Sequence, residues 1–117
     1  MMSDGSAYGR FQRALRSRNS TLAIAAATEL ATLDLADAFK LCLVLRQEPR
    51  RYARAAARWH ARYCLEVPGV DLRESQLVLS ALASLVGCHH AAAAGALERI
   101  FAGRGLGELT SALQRLG

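Results

Sequence analysis

Pro49-Arg-Arg-Tyr-Ala-Arg-Ala-Ala-Ala-Arg-Trp-His-Ala-Arg-Tyr-Cys-Leu-Glu66 holds the only tryptophan and the densest run of arginines in the chain. At about 100° per residue, Tyr52, Ala55, Ala56, Trp59 and Tyr63 share one face, and Arg51, Arg54, Arg58 and Arg62 lie opposite and beside it. The spacing predicts one long amphipathic helix with an aromatic side to bury and a guanidinium side to solvate. Glu48 precedes a proline and is pushed out of the α region, while Pro49 is preorganised for the first helical position. The helix therefore starts at Pro49.

Upstream, Leu33-Asp34-Leu35-Ala36-Asp37 reads as a helix start, with Asp34 as N-cap and Asp37 facing the positive end of the dipole. The helix it opens is apolar on most sides. Leu35, Ala38, Phe39, Cys42 and Leu45 form one face, and Leu41, Leu43 and Val44 leave little room for solvent. This is the expected central buried helix. Earlier still, Ala7 to Ser17 predicts a short basic helix packing through Tyr8, Phe11 and Leu15. Arg18-Asn19-Ser20 breaks it, and Asn19 or Ser20 caps an alanine-rich second helix carrying Leu22, Ile24 and Leu30. Met1 to Ser6 reads as a disordered tail and 7–117 as one helical domain.

Downstream, Val67-Pro68-Gly69-Val70 is the clearest turn. Asp71-Leu72-Arg73-Glu74 then repeats the cap pattern, 37 residues after Asp34. At that offset Leu33/Val70, Leu35/Leu72, Leu41/Val78, Cys42/Leu79 and Leu45/Leu82 match in character. Gly87 closes the fifth helix, and His89 to Ala102 forms a sixth with Ala93, Ala96, Leu97, Ile100 and Phe101 inside. Gly103-Arg104-Gly105 stops it. In the last short helix Leu106, Leu109, Leu113 and Leu116 form a stripe that either seals the core or joins a second subunit, so the chain is expected as a monomer or as a homodimer through this helix.

These elements predict an all-α fold, a compact stack of αα-hairpins of about six helices with a short C-terminal helix. The spacing is that of helical solenoids. In general look it resembles HEAT-like or tetratricopeptide-like hairpins, although the signature residues of either are missing. Composition agrees. Hydrophobic residues make up 52% of the chain and Pro occurs twice, while alanine, the best helix former, comes in runs.

The formal charge of +5 comes from fourteen Arg and one Lys against ten carboxylates. It is local: residues 10–62 carry net +7. A basic half suits a polyanionic partner. The bland alternative is a solvated helix face. Three cysteines without paired spacing fit a reducing cytoplasm. The arginines and short apolar run before Thr28 imitate a secretory leader only faintly. Ser75 to Leu97 lacks formal charge, but Gly87, His89, His90 and Gln76 interrupt it, so two helices and a turn are expected there rather than a membrane span.

Chemistry-bearing constellations are sparse. His60 and Cys64 are i and i+4 on one helix, and Cys88-His89 begins another, which together could supply four zinc ligands without matching any paired zinc signature. The same atoms could be a cysteine nucleophile and a histidine base, with no orienting acid or oxyanion loop in view. Asp34, Asp37, Asp71 and Glu74 are assigned to the two caps. The first expectation is therefore a non-enzymatic, cofactor-free interaction module that binds an acidic protein segment through Arg51, Arg54, Arg58 and Arg62, with Arg10 and Arg13 beside them. The alternative is sequence-nonspecific DNA or RNA binding by the same face, since alanines occupy the positions that base readout needs. The third is a small zinc- or thiol-dependent protein using His60, Cys64, Cys88 and His89.

Overall fold

Local chemistry at the helix ends sets the segmentation. In the computed structural model, which describes residues 6–116, the helices are α1 (Ala7–Arg16), α2 (Ser20–Thr28), α3 (Leu35–Val44), α4 (Pro49–Glu66), α5 (Leu72–Ser84), α6 (His90–Gly103) and α7 (Gly107–Gln114), with a 3₁₀ turn at Leu45–Gln47. No strand occurs among the described residues. The Asn19 side chain accepts from the Leu22 amide at 3.0 Å, Asp34 from Asp37 at 2.7 Å and Asp71 from Glu74 at 2.8 Å. Each satisfies one amide left without an intrahelical partner, worth about 1 kcal/mol. Pro49 starts α4 as expected, after Glu48 in a non-helical conformation. Ser6, expected in the disordered tail, is instead the N-cap of α1 and accepts from the Gly9 amide at 2.9 Å. The rest of that expected tail, residues 1–5, lies outside the described residues, as does Gly117.

Consecutive helices pack as neighbours: α1 on α2, α3 on α4, α4 on α5, α5 on α6 and α6 on α7. The last helix returns to α3, which also meets α1 and α2. This is the all-α hairpin stack the periodicities predict, with α3 at its centre. Leu41 touches two cores, the small one of the α1–α2 hairpin around Phe11, Ala14, Ala23 and Ala26, and the main one built by α3 to α7. At the middle of the main core are four rings. Phe39 lies 4.7 Å from Trp59 and 5.6 Å from Phe101, and Tyr63 lies 5.4 Å from Trp59 and 5.6 Å from Phe101, between centroids. Tilted and edge contacts of this kind add about 0.5–1.5 kcal/mol each beyond area burial.

The polar ends of Trp59, Tyr63 and the neighbouring buried Tyr52 are all satisfied. Trp59 Nε1 donates to the Leu35 carbonyl at 2.8 Å, Tyr52 Oη to the Leu82 carbonyl at 2.6 Å and Tyr63 Oη to Glu74 Oε2 at 2.7 Å. That last bond corrects an expectation. Glu74 does not complete a capping box: its carboxylate is taken by Tyr63 and by Arg104, which also donates to the Pro68 and Gly69 carbonyls at 2.6 and 2.9 Å. Arg104 thus pins the α4–α5 turn to the end of α6. Gly69 sits there at φ 80°, where a side chain would be strained and its Cβ would lie 3.3 Å from the guanidinium. Asp37 is likewise no capping residue by its side chain; it is buried and accepts from Tyr8 Oη at 3.0 Å, tying α1 to α3.

Leu109 and Leu113 are buried, and Leu106 and Leu116 pack against the same core. The C-terminal stripe therefore packs against this chain's own core. The two capped hairpins differ in setting despite their matched starts: Cys42 is buried and Leu35 partly buried, whereas their counterparts Leu79 and Leu72 are exposed. Among the described residues no helix is long and apolar enough to cross a membrane.

Candidate binding surfaces

The arginine row of α4 is present but partly neutralised. Arg51 pairs with Glu48 at 3.4 Å, Arg62 with Glu66 at 2.6 Å and Arg10 with Glu29 at 2.6 Å. Such exposed pairs are worth about 0–1 kcal/mol, so they mask the charge without locking the side chains. Arg13 is exposed on α1. Arg54 and Arg58 are exposed and have no hydrogen bond or ion pair with any described residue. The row is a discontinuous strip with its charge open in the middle.

A denser cationic site lies elsewhere. A groove of about 870 Å³ runs between α1, α3, the α5–α6 turn and α7, lined by Arg16, Arg18, Lys40, Arg46, Arg115 and His90 over a floor that includes Leu15, Leu43, Val44, Val86 and Leu116. Among the described residues no Asp or Glu lines it. The convergence has a topological cause. The groove is where the C-terminal ends of α1, α3, α5 and α7 meet, and basic side chains are stabilised at such ends by the negative end of the helix dipole. Each end carries roughly half a negative charge, so four ends offset about two of the five fixed cations, and a net positive field remains.

The arginines are also held in place. Arg46 Nε donates to the Leu85 carbonyl at 3.0 Å and Arg115 Nε to the Ser111 carbonyl at 3.3 Å, which orients each guanidinium and leaves its terminal nitrogens without a described partner. Lys40 Nζ lies 3.7 Å from Asp37 Oδ1, a loose contact. Arg18 is placed by the backbone itself. Its amide donates to the Leu15 carbonyl and that of Asn19 to the Ala14 carbonyl at 2.9 Å, the paired bonds of a Schellman ending, and its φ is 56°. Glycine is the usual occupant of that position, because a side chain there costs about 1–2 kcal/mol. An arginine sits in it instead, facing the groove.

The four residues considered for zinc or thiol chemistry do not come together. His60 Nε2 lies 2.8 Å from the Ser75 carbonyl oxygen, a contact that requires Nε2 to carry the proton and donate it. That nitrogen is then neither a metal ligand nor a base for Cys64, whose Sγ is 3.7 Å away and 3.4 Å from Ser75 Oγ. Cys88 is exposed in the turn beyond the far end of α5. From Ser75 to Ser84 alone the helix rises about 14 Å, so Cys88 and His89 cannot close a site around His60 and Cys64. Among the described residues no three His, Cys, Asp or Glu side chains converge on a metal position.

None of the six arginines singled out from the sequence lines the groove, and its cations Lys40, Arg46 and Arg115 carried no functional expectation. A signal was available: Arg16, Arg18, Arg46 and Arg115 all stand at helix C-termini. The sequence marks each end, but only the packing of α7 and the α5–α6 turn against α3 brings the ends together. No family model matches this sequence, and neither the curated proteins nor the solved structures contain a significant match to it.

Proposed function

We propose that this protein is a non-enzymatic interaction module that binds an acidic protein segment, and that the segment sits in the groove of Arg16, Arg18, Lys40, Arg46 and Arg115 rather than on the outer face of α4. The observation that carries this reading is the combination of five cationic side chains, an apolar floor and no Asp or Glu among the described lining residues. A nucleic-acid backbone offers phosphate and sugar and gains nothing from Leu15, Leu43 and Leu116. A peptide with acidic residues and apolar anchors uses both parts of the groove. The prepositioned Arg46 and Arg115 lower the ordering cost of binding, because their Nε atoms are already tied to backbone carbonyls.

A second reading, sequence-nonspecific DNA or RNA binding, is supported by Arg50, Arg54 and Arg58, exposed together on α4. The two separate in one experiment. Fluorescence anisotropy is measured with a short polyglutamate peptide and with random-sequence duplex DNA, at low and moderate salt. The proteins are wild type, Arg16→Glu/Arg115→Glu and Arg54→Glu/Arg58→Glu. The proposed function predicts peptide binding that the groove variant loses and the α4 variant keeps. DNA binding with a steep salt slope, lost in the α4 variant, would replace it with the second reading.

A further inference from the structure

The groove does not stop at its cationic end. Val86 lines it and also lines a second, apolar trough of about 220 Å³ between α4 and α5, formed by Pro49, Ala53, Ala57, Leu79 and Ala83 among others. Val86 is 43% and Leu79 46% exposed, so both present apolar surface to a partner. The alanines keep the trough shallow and let a helix backbone approach closely. Its volume is below the roughly 300 Å³ at which small-molecule pockets begin, so it suits one or two side-chain anchors of a longer partner. Arg50 and Arg54 do not line it, but each follows a lining residue of α4, Pro49 and Ala53, and both are exposed and without a described partner. Positive charge therefore borders the trough as well as the groove.

We infer that the partner is bipartite: an acidic block seated among the groove cations, continuous with a turn or two of amphipathic helix whose apolar side chains enter the α4–α5 trough past Val86 and whose acidic side meets Arg50 and Arg54. This rests on the proposed function, since it extends the same ligand from the same site. The occupant follows from continuity at Val86 and from charge complementarity along both segments.

The test uses the full chain and two fluorescein-labelled peptides: polyglutamate alone, and polyglutamate extended by an amphipathic helix of leucine, alanine and glutamate. Affinities are compared for wild type, Ala57→Trp, which fills the trough, and Leu79→Asp, which places a like charge in it; thermal melts confirm that each variant folds. The extension should tighten binding by about tenfold, as burial of one or two leucines allows after ordering costs. Both variants should remove that gain and leave polyglutamate affinity unchanged. An extension that adds nothing, or a gain that survives both substitutions, overturns the bipartite partner while the groove reading stands. Failure of polyglutamate itself to bind wild type overturns both.

Discussion

Arg18→Gly separates folding from binding, because the two accounts of Arg18 predict opposite signs. Arg18 occupies the left-handed position of the Schellman ending of α1, at φ 56°. Relieving a side chain there gains about 1–2 kcal/mol, and the greater freedom of glycine in the unfolded chain returns about 0.5–1 kcal/mol. The net is a stabilisation of about 0–1.5 kcal/mol, centred on about 0.75 kcal/mol. At about 3–6 °C per kcal/mol for a chain of this size, the central value raises Tm by about 2–5 °C. The same substitution removes one of the five groove cations. Its side chain is exposed, so the charge contributes about 0.2–1 kcal/mol to a carboxylate partner, a loss of up to about fivefold in affinity. Scanning fluorimetry and peptide anisotropy on wild type, Arg18→Gly and Arg18→Lys decide it. A glycine variant that melts higher and binds more weakly, with the lysine variant close to wild type in both, is the expected pattern. A glycine variant that melts lower would refute the backbone argument, and one that binds as wild type would refute a role for Arg18 in the groove.

Phe101→Ala should cost about 3–5 kcal/mol, since Phe101 is fully buried and touches three rings, and a loss below about 1 kcal/mol by Trp59 fluorescence in urea would contradict the four-ring core. Stability should fall on both sides of neutral pH. The Arg104 hydrogen bond, with that of Tyr63, holds the Glu74 carboxyl below its ordinary value despite partial burial, so its contribution is present above about pH 4.3 and disappears as pH falls through the depressed value; Glu74→Gln should flatten that limb of a Tm–pH profile. Burial pushes the Cys42 thiol up to about 12 and raises Tyr52 and Tyr63, so the stability tied to their protonated forms is complete below the unfolded values of about 8.5–10 and is lost as pH climbs through the folded ones. A melting temperature constant from pH 8 to 11 would contradict it. With a thiol reagent under native conditions, exposed Cys88 should react first and Cys42 only on unfolding; equal rates would place α3 wrongly in the core.

The segmentation was legible because it is written in local chemistry. Asn19, Asp34 and Asp71 cap where their side chains allow, Pro49 opens α4, and Gly69 adopts the positive φ its turn requires. The inward face of α4 was legible from period alone; on α3 Phe39, Cys42 and Leu45 were placed, but Ala36 and Asp37 are buried outside the expected face. What periodicity cannot show is which distant element covers a face. Leu72 and Leu79 match Leu35 and Cys42 in sequence character, yet α5 lacks the second layer of helices that encloses α3. Glu74 looked like a capping residue because its true partner, Arg104, stands 30 residues away. The groove stayed hidden for the same reason, being made from four helix ends that are unremarkable one at a time, and Arg18 stood where turn chemistry asks for glycine.

The central claim is that the cations at these helix ends form one site. Titrating ¹⁵N-labelled protein with the polyglutamate peptide and mapping amide shifts tests it most directly. The account predicts saturable shifts confined to Arg16–Asn19, Lys40–Gln47, Val86–His90 and Ser111–Leu116, with the outer face of α4 unmoved. Shifts centred on Arg54 and Arg58, or none at all, would contradict it.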